Sequence, residues 1–362
     1  LSSVVSNSSA VYNILYRTAD SHGKPSFAVT TVFVPLLSTD SNYKITDDAA
    51  PLLSYLIDYD TPNLDDSPSF ALPLLYTSKI PDIVAALSRG WYVTVPDYEG
   101  PTASFTAGLQ AGRATLDSLR ATLHAGLGLH RNTRTAVWGY SGGSIAGEWA
   151  TELQAQYAPE LTLSGAALGG LIPDIQSVVI TTSGTALAGL VPLGCLGLSR
   201  QYPGLLEYFE QRLKSTGPFN KTGFLAATNM SADQAFGTYT DQNMFNYFTD
   251  GIDVLQGGLL QEAFHRDGIM GNNGIPRMPL FVYKAIQDEV SPIRETDALV
   301  NKYCSKGGNI LYHRNTVGEH FSEQFTEDAT ALKFLASVLE DRHSVIPKGC
   351  TIQNVTVEVT SP

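Results

Sequence analysis

Cysteine is scarce in this chain of 362 residues: there are three, Cys195, Cys304 and Cys350. None has metal-ligand spacing, and neither a metal nor an organic cofactor is expected. Basic residues are also few, 23 Lys plus Arg against 35 Asp plus Glu, for a formal net charge of −12. The acidic residues are spread out. Nucleic acid is excluded as a partner, because its binding needs a basic face. No apolar run is long enough to cross a bilayer, so stable membrane insertion is not expected. The chain starts at Leu1, without initiator Met, charged n-region or apolar signal core, and we expect that a leader was removed or omitted. Internal repeats and low-complexity tracts are missing too.

What is present is a composition 43% hydrophobic, enough for a sizeable core. Four Asn-x-Ser/Thr sequons occur, at Asn7, Asn220, Asn229 and Asn354. With few Lys and many Ser/Thr, they point to the secretory pathway, where glycosylation and disulfides form. In that setting Cys304–Cys350 is the candidate bridge and Cys195 the odd one out. Outside it, all three are reduced core thiols.

The segments Ala10–Ala19 and Ser26–Leu36 alternate apolar and polar residues around a turn-forming cluster from Asp20 to Pro25, which predicts an antiparallel hairpin. Apolar runs at Pro51–Ile57 and Trp91–Val95 read as strands covered on both faces. Helices are expected over Ile80–Ser88 and Ala107–Leu127, and a strand over Leu161–Leu168. Rhythm breaks down between residues 172 and 277, with helical pieces at Ser177–Leu190, Tyr202–Leu213 and Gly251–Phe264. That interruption is too long for a loop and is expected to be an inserted helical cap. Strand Met278–Ile286, helix Arg294–Cys304, strand Asn309–His313 and helix Gln324–Leu339 resume the alternation. The expected class is α/β, a mostly parallel sheet with helices on both faces. Residues 1–171 and 278–362 make its core.

The chain is organised around Gly139-Tyr140-Ser141-Gly142-Gly143, which lies between a β-prone run, Thr135–Trp138, and a helical run, Ser144–Ala150. Strand, G-x-S-x-G turn and helix are the setting of a nucleophile elbow. The turn is so tight that glycines are needed two places either side of the serine. The strained serine then projects above the sheet edge. Its hydroxyl needs a base, and the base an orienting acid, in the chain order Ser, acid, His. Four histidines follow Ser141. His265 falls in the expected cap, His313 in a strand and His343 after the last helix. His320, in the loop Val317–His320 beyond a strand's carboxyl end, is the candidate base. Asp288 is the first carboxylate past strand Met278–Ile286 and the candidate acid. Glu289 is its near competitor, and Asp297 lies already in a helix.

Donors for a developing oxyanion should be the Gly142 N–H and a group from an early strand loop. The loops Asp58-Tyr59-Asp60 and Asp97-Tyr98-Glu99-Gly100 both qualify, and their aromatics Tyr59 and Tyr98 are candidate pocket residues. An ionised carboxylate there would oppose the chemistry, so Asp60 should act through its backbone N–H or be protonated.

The joint order of Ser54-Tyr55…Tyr59-Asp60, Asp97-Tyr98-Glu99-Gly100-Pro101, Ala107-Gly108, Gly139–Gly143, Tyr157–Leu161, Pro279…Asp288-Glu289 and Gly318-Glu319-His320 resembles the fungal secretory lipase family. The resemblance covers nearly the whole chain and is weakest from about 217 to 277. It implies an α/β-hydrolase core with a helical cap and a secreted carboxylic ester hydrolase, a lipase or esterase. It further implies a triad of Ser141, Asp288 and His320, oxyanion donors at Asp60 and Gly142, and a disulfide matching Cys304 and Cys350. Relatives carry a longer C-terminal flap, and the family includes esterases that deacetylate secondary metabolites such as trichothecene toxins. The expected partner is therefore a small-molecule ester or lipid, with a short-chain or acetyl ester ahead of a long-chain triglyceride. The rivals are an acyltransferase on the same triad and a non-enzymatic binding protein of the same fold.

Overall fold

A computed structural model describes residues 5–36, 50–72, 80–340 and 348–359. The expected hairpin forms: β1 (Ser8–Ala19) pairs antiparallel with β2 (Pro25–Pro35), and β2 pairs antiparallel with β4 (Tyr92–Pro96). From there the sheet is parallel through β3 (Leu52–Leu56), β5 (Thr135–Tyr140), β6 (Leu163–Gly169), β7 (Leu280–Ala285), β8 (Ile310–Asn315) and β9 (Cys350–Val355). The order is β1-β2-β4-β3-β5-β6-β7-β8-β9. All five residues of β3 are buried. Strand periodicity sends Leu52 and Leu56 to one side and Leu53 and Tyr55 to the other. The first side is covered by helices Gly108–His124, Gly142–Tyr157 and Ile293–Ser305 and by the β6–β7 connection. The second is covered by helices Ile80–Ser88 and Asp328–Leu339. No helix among the described residues is long and apolar enough to cross a membrane.

Four details differ from expectation. The long helix expected over Ser177–Leu190 ends early: helix Ile175–Thr182 stops at Ser183, and Gly184 follows at φ +86°. Helix Leu190–Ser199 was not foreseen, because it is buried on nearly all sides and carries no amphipathic period. The last helix is two helices, His320–Thr326 and Asp328–Leu339. A capping box between Glu319 and Ser322 starts the first of them earlier than its apolar pattern suggests. Finally, β9 has a half-polar, mostly exposed sequence that gives no strand signal.

β9 is tied down covalently. Cys350, its first residue, is bonded to Cys304 near the end of helix Ile293–Ser305, with Cα atoms 5.8 Å apart and a sequence separation of 46. Cys195 is the remaining thiol, and burial pushes it up to about 12, so it is inert. His343 lies outside the described residues. Replacing Cys304 and Cys350 together by Ser should lower stability by about 2–4 kcal/mol. Denaturant unfolding of the oxidised protein and the double variant measures it.

Candidate active site

The elbow is built as tightly as its glycines suggest. Ser141 follows β5 at φ 50°, ψ −121°, outside the regions that L-residues favour. Its N–H is held by the Gly169 carbonyl of β6 at 3.1 Å. A Cβ on Gly139 would lie 2.3 Å from the carbonyl oxygen of Gly143, so neither strand end nor helix start has room to relax.

Three loops converge on the serine hydroxyl. His320 Nε2 lies 2.8 Å from Ser141 Oγ, and His320 Nδ1 lies 2.7 Å from Asp288 Oδ2. The imidazole is 1% exposed, which keeps bulk water from competing for either nitrogen. Asp288 Oδ1 accepts from the N–H groups of Val290 (2.9 Å) and Ser291 (2.7 Å), an Asx-type turn that aims the other oxygen at the ring. Burial alone would raise the Asp288 carboxyl, but His320 and Lys284 beside it hold it well below the usual carboxylate range. Glu289, the competitor for the acid's place, instead accepts the backbone N–H of His320 at 2.6 Å. Tyr140, the elbow residue before the serine, donates its hydroxyl to the His320 carbonyl at 2.5 Å. His320 opens a helix rather than lying in a loop, with both ends of its peptide fixed by these contacts. His313 pairs with Glu327 and Gln353, and His265 is exposed, so neither enters the site.

The Asp60 side of Ser141 is as crowded. Asp60 has φ 49°, and a Cβ on Gly142 would sit 1.7 Å from its Oδ1. Gly142 is the first residue of helix Gly142–Tyr157, whose leading N–H groups have no intrahelical acceptor and lie at the positive end. Tyr59 and Tyr98 correct the pocket expectation: they do not line the cavity at Ser141. Their rings pack 5.0 Å apart, the Glu99 N–H donates to Tyr59 Oη at 2.8 Å, and Tyr98 Oη donates to the Ile57 carbonyl at 2.8 Å. Together they stitch the β3 and β4 loops beneath Asp60. Burial, helped by Asp60 and Asp97, raises Glu99 well above the usual carboxylate range.

The cavity at Ser141 is lined by Asp60, Phe105, Thr106 and Ile145 from the core side. Ile172, Ile175, Val178, Val179, Leu190 and Gly194 close it from the β6–β7 connection, and Val290 from the Asp288 loop. Its walls leave free space for little more than one water- or methyl-sized group. Among the described residues no group of His, Cys, Asp and Glu is arranged to hold a metal ion. Sequence reasoning missed the cavity wall, because helices Ile175–Thr182 and Leu190–Ser199 carry no polar signature. It also missed Lys284, a lysine inside a strand read as apolar.

A serine raised on a strand–turn–helix elbow, at the carboxyl edge of a mostly parallel sheet, makes this an α/β-hydrolase. The particular family follows from comparison with known proteins: the chain belongs to the secretory lipase family, whose pattern matches residues 75–346. It is 45% identical over 367 residues to a trichothecene C-3 esterase of Fusarium sporotrichioides, spanning all of this chain and 82% of that protein. It is 33% identical over 370 residues to lipase A of Arthroderma benhamiae, spanning 98% of this chain and 75% of that protein. Among solved structures, Candida antarctica lipase A in its closed state superposes with a TM-score of 0.85 at 27% identity, covering 98% of this chain and 83% of that one. The protein is a carboxylic ester hydrolase.

The contact between Gly142 and Asp60 yields a test. Gly142→Ala should leave the fold intact but push the Asp60 side chain out of place beside Ser141 and lower kcat by about 10²-fold. Steady-state kinetics with p-nitrophenyl acetate, alongside circular dichroism, checks it.

Proposed function

We propose that this chain is a secreted serine esterase that removes short acyl groups, acetyl foremost, from a soluble acetylated metabolite of the trichothecene kind. The observation that carries this reading is the cavity beside Ser141. It is narrow and mostly apolar, and has free space for little beyond a methyl-sized group. Its lining includes Ser141 and Asp60 but not His320, so it lies on the side where the acyl group sits. The alcohol must leave past His320, the group that gives it a proton. The similarity to a trichothecene esterase supports the same choice.

In the proposed mechanism His320 Nε2 takes the proton from Ser141 Oγ as the oxygen attacks the ester carbonyl. Asp288 stays ionised, holds the Nδ1–H and stabilises the imidazolium. The oxyanion is received by the Gly142 N–H and by Asp60, through its backbone N–H or a protonated carboxyl. Collapse expels the alcohol with the proton from His320. Water then enters and gives one proton to His320 as its oxygen attacks the acyl carbonyl; collapse breaks the bond to Ser141 Oγ, releases the carboxylic acid, and returns the proton from His320 to Ser141. Residues 172–277 act as the cap that closes the acyl side. Secretion accords with the Cys304–Cys350 bridge and with the exposed sequon residues Asn7, Asn229 and Asn354; Asn220 is half-buried.

Ser141→Ala should abolish p-nitrophenyl acetate turnover, by about 10³-fold or more, without unfolding the protein. For the wild type, kcat/KM should fall at least about tenfold from acetate to octanoate, since one methylene in an apolar site is worth about 1–3 kcal/mol. A panel of p-nitrophenyl acetate, butyrate and octanoate, emulsified triolein and an acetylated terpenoid measures both. Strong interfacial activation on triolein would instead assign the chain as a triacylglycerol lipase whose apolar cap walls open.

A further inference from the structure

Lys284 lies on β7, four residues before Asp288, and its side chain is wholly buried. A lysine in that position must be paired, because an isolated ammonium in the protein interior costs far more than its stem gains. Its Nζ lies 2.8 Å from Asp288 Oδ2, the same oxygen that meets His320 Nδ1 at 2.7 Å. A second Nζ–H donates to the Leu171 carbonyl at 2.8 Å, and Thr296 Oγ1 reaches that carbonyl at 3.4 Å. Leu171 is where the chain leaves β6 for the connection that walls the cavity, and Ile172, its neighbour, lines that cavity.

We infer that Lys284 is a positioning residue for the ester hydrolysis: its ammonium orients Asp288 Oδ2 toward His320 and anchors that carboxylate to the root of the β6–β7 connection at Leu171. The inference rests on the triad reading given above. The ammonium has two effects. It fixes the carboxylate rotamer from the side opposite the Val290 and Ser291 N–H groups. It also places a positive charge one oxygen away from the imidazole, where it offsets part of the Asp288 charge that the ring faces. The other titratable groups facing this pair are Glu289 on the same loop, Glu295 on helix Ile293–Ser305, Glu323 on helix His320–Thr326 and the Tyr140 hydroxyl on β5. Glu323 is raised by burial to about 8, but it is common to wild type and variants and cancels in their comparison.

The test compares Lys284→Met, Lys284→Gln and Lys284→Arg with wild type by the pH dependence of kcat/KM on p-nitrophenyl acetate, each checked for folding by near-ultraviolet circular dichroism. Lys284→Gln keeps an N–H donor without the charge, and Lys284→Arg keeps the charge. The two neutral variants should lose about 10–100-fold in kcat at pH 7 with KM within about threefold. Their acid limb should move up by about one pH unit, so that the deficit shrinks toward pH 9. Lys284→Arg should keep the wild-type acid limb. Folded neutral variants with an unmoved limb and kcat within about twofold of wild type would overturn the inference. So would failure of both neutral variants to fold, which assigns Lys284 to stability alone. Ser141→Ala is run alongside. Its retained activity would defeat the triad reading itself, whereas an inactive Ser141→Ala beside unchanged Lys284 variants defeats only the role of Lys284.

Discussion

Between Gly142 and the Asp60 carboxyl there is no room for a single carbon atom. That approach sets much of the architecture around it. It demands glycine after the nucleophile and a left-handed backbone at Asp60. It also demands a rigid support under Asp60, which the Tyr59–Tyr98 stitch supplies from the neighbouring strand loop. On the other side of the serine, Asp288, Glu289 and Tyr140 fix His320 at its side chain, its N–H and its carbonyl. The chemistry needs positions held to a fraction of an ångström. Here that precision comes from backbone contacts at strand ends, with little left to free side-chain rotation.

The triad geometry was legible because its parts obey two strong local rules. A G-x-S-x-G turn needs a strand before it and a helix after it, and both were readable from apolar runs. Acid and base then have to follow later strands in order, which left Asp288 and His320. The resemblance of the motif order to a family carried Asp60 and the disulfide. The positions of β3 to β8 were equally legible, since buried strands of a parallel sheet are nearly continuous apolar runs.

What was not legible depends on partners far apart in sequence. β9 is polar and exposed, and it is a strand because Cys304 and the edge of β8 hold it there. Helix Leu190–Ser199 is apolar all round, so no period betrays it. Tyr59 and Tyr98 resemble pocket aromatics until their hydroxyls are seen to be spent on backbone groups. Lys284 could have been noticed, since a lysine inside a strand of a sheet with helices on both faces has to find a buried partner. Only the fold shows that the charge is Asp288.

The Leu171 carbonyl, held by Lys284, stands at the border between two kinds of sequence freedom. Before it, the bonds to Asp288 and its neighbours constrain nearly every atom. Beyond it, the residues that wall the cavity are aliphatic and contact the triad through shape alone. None of these side chains takes part in the hydrogen bonds of Asp288 or His320. On the proposed reading, the shape that selects the acyl group and the groups that react are therefore separate parts of the molecule.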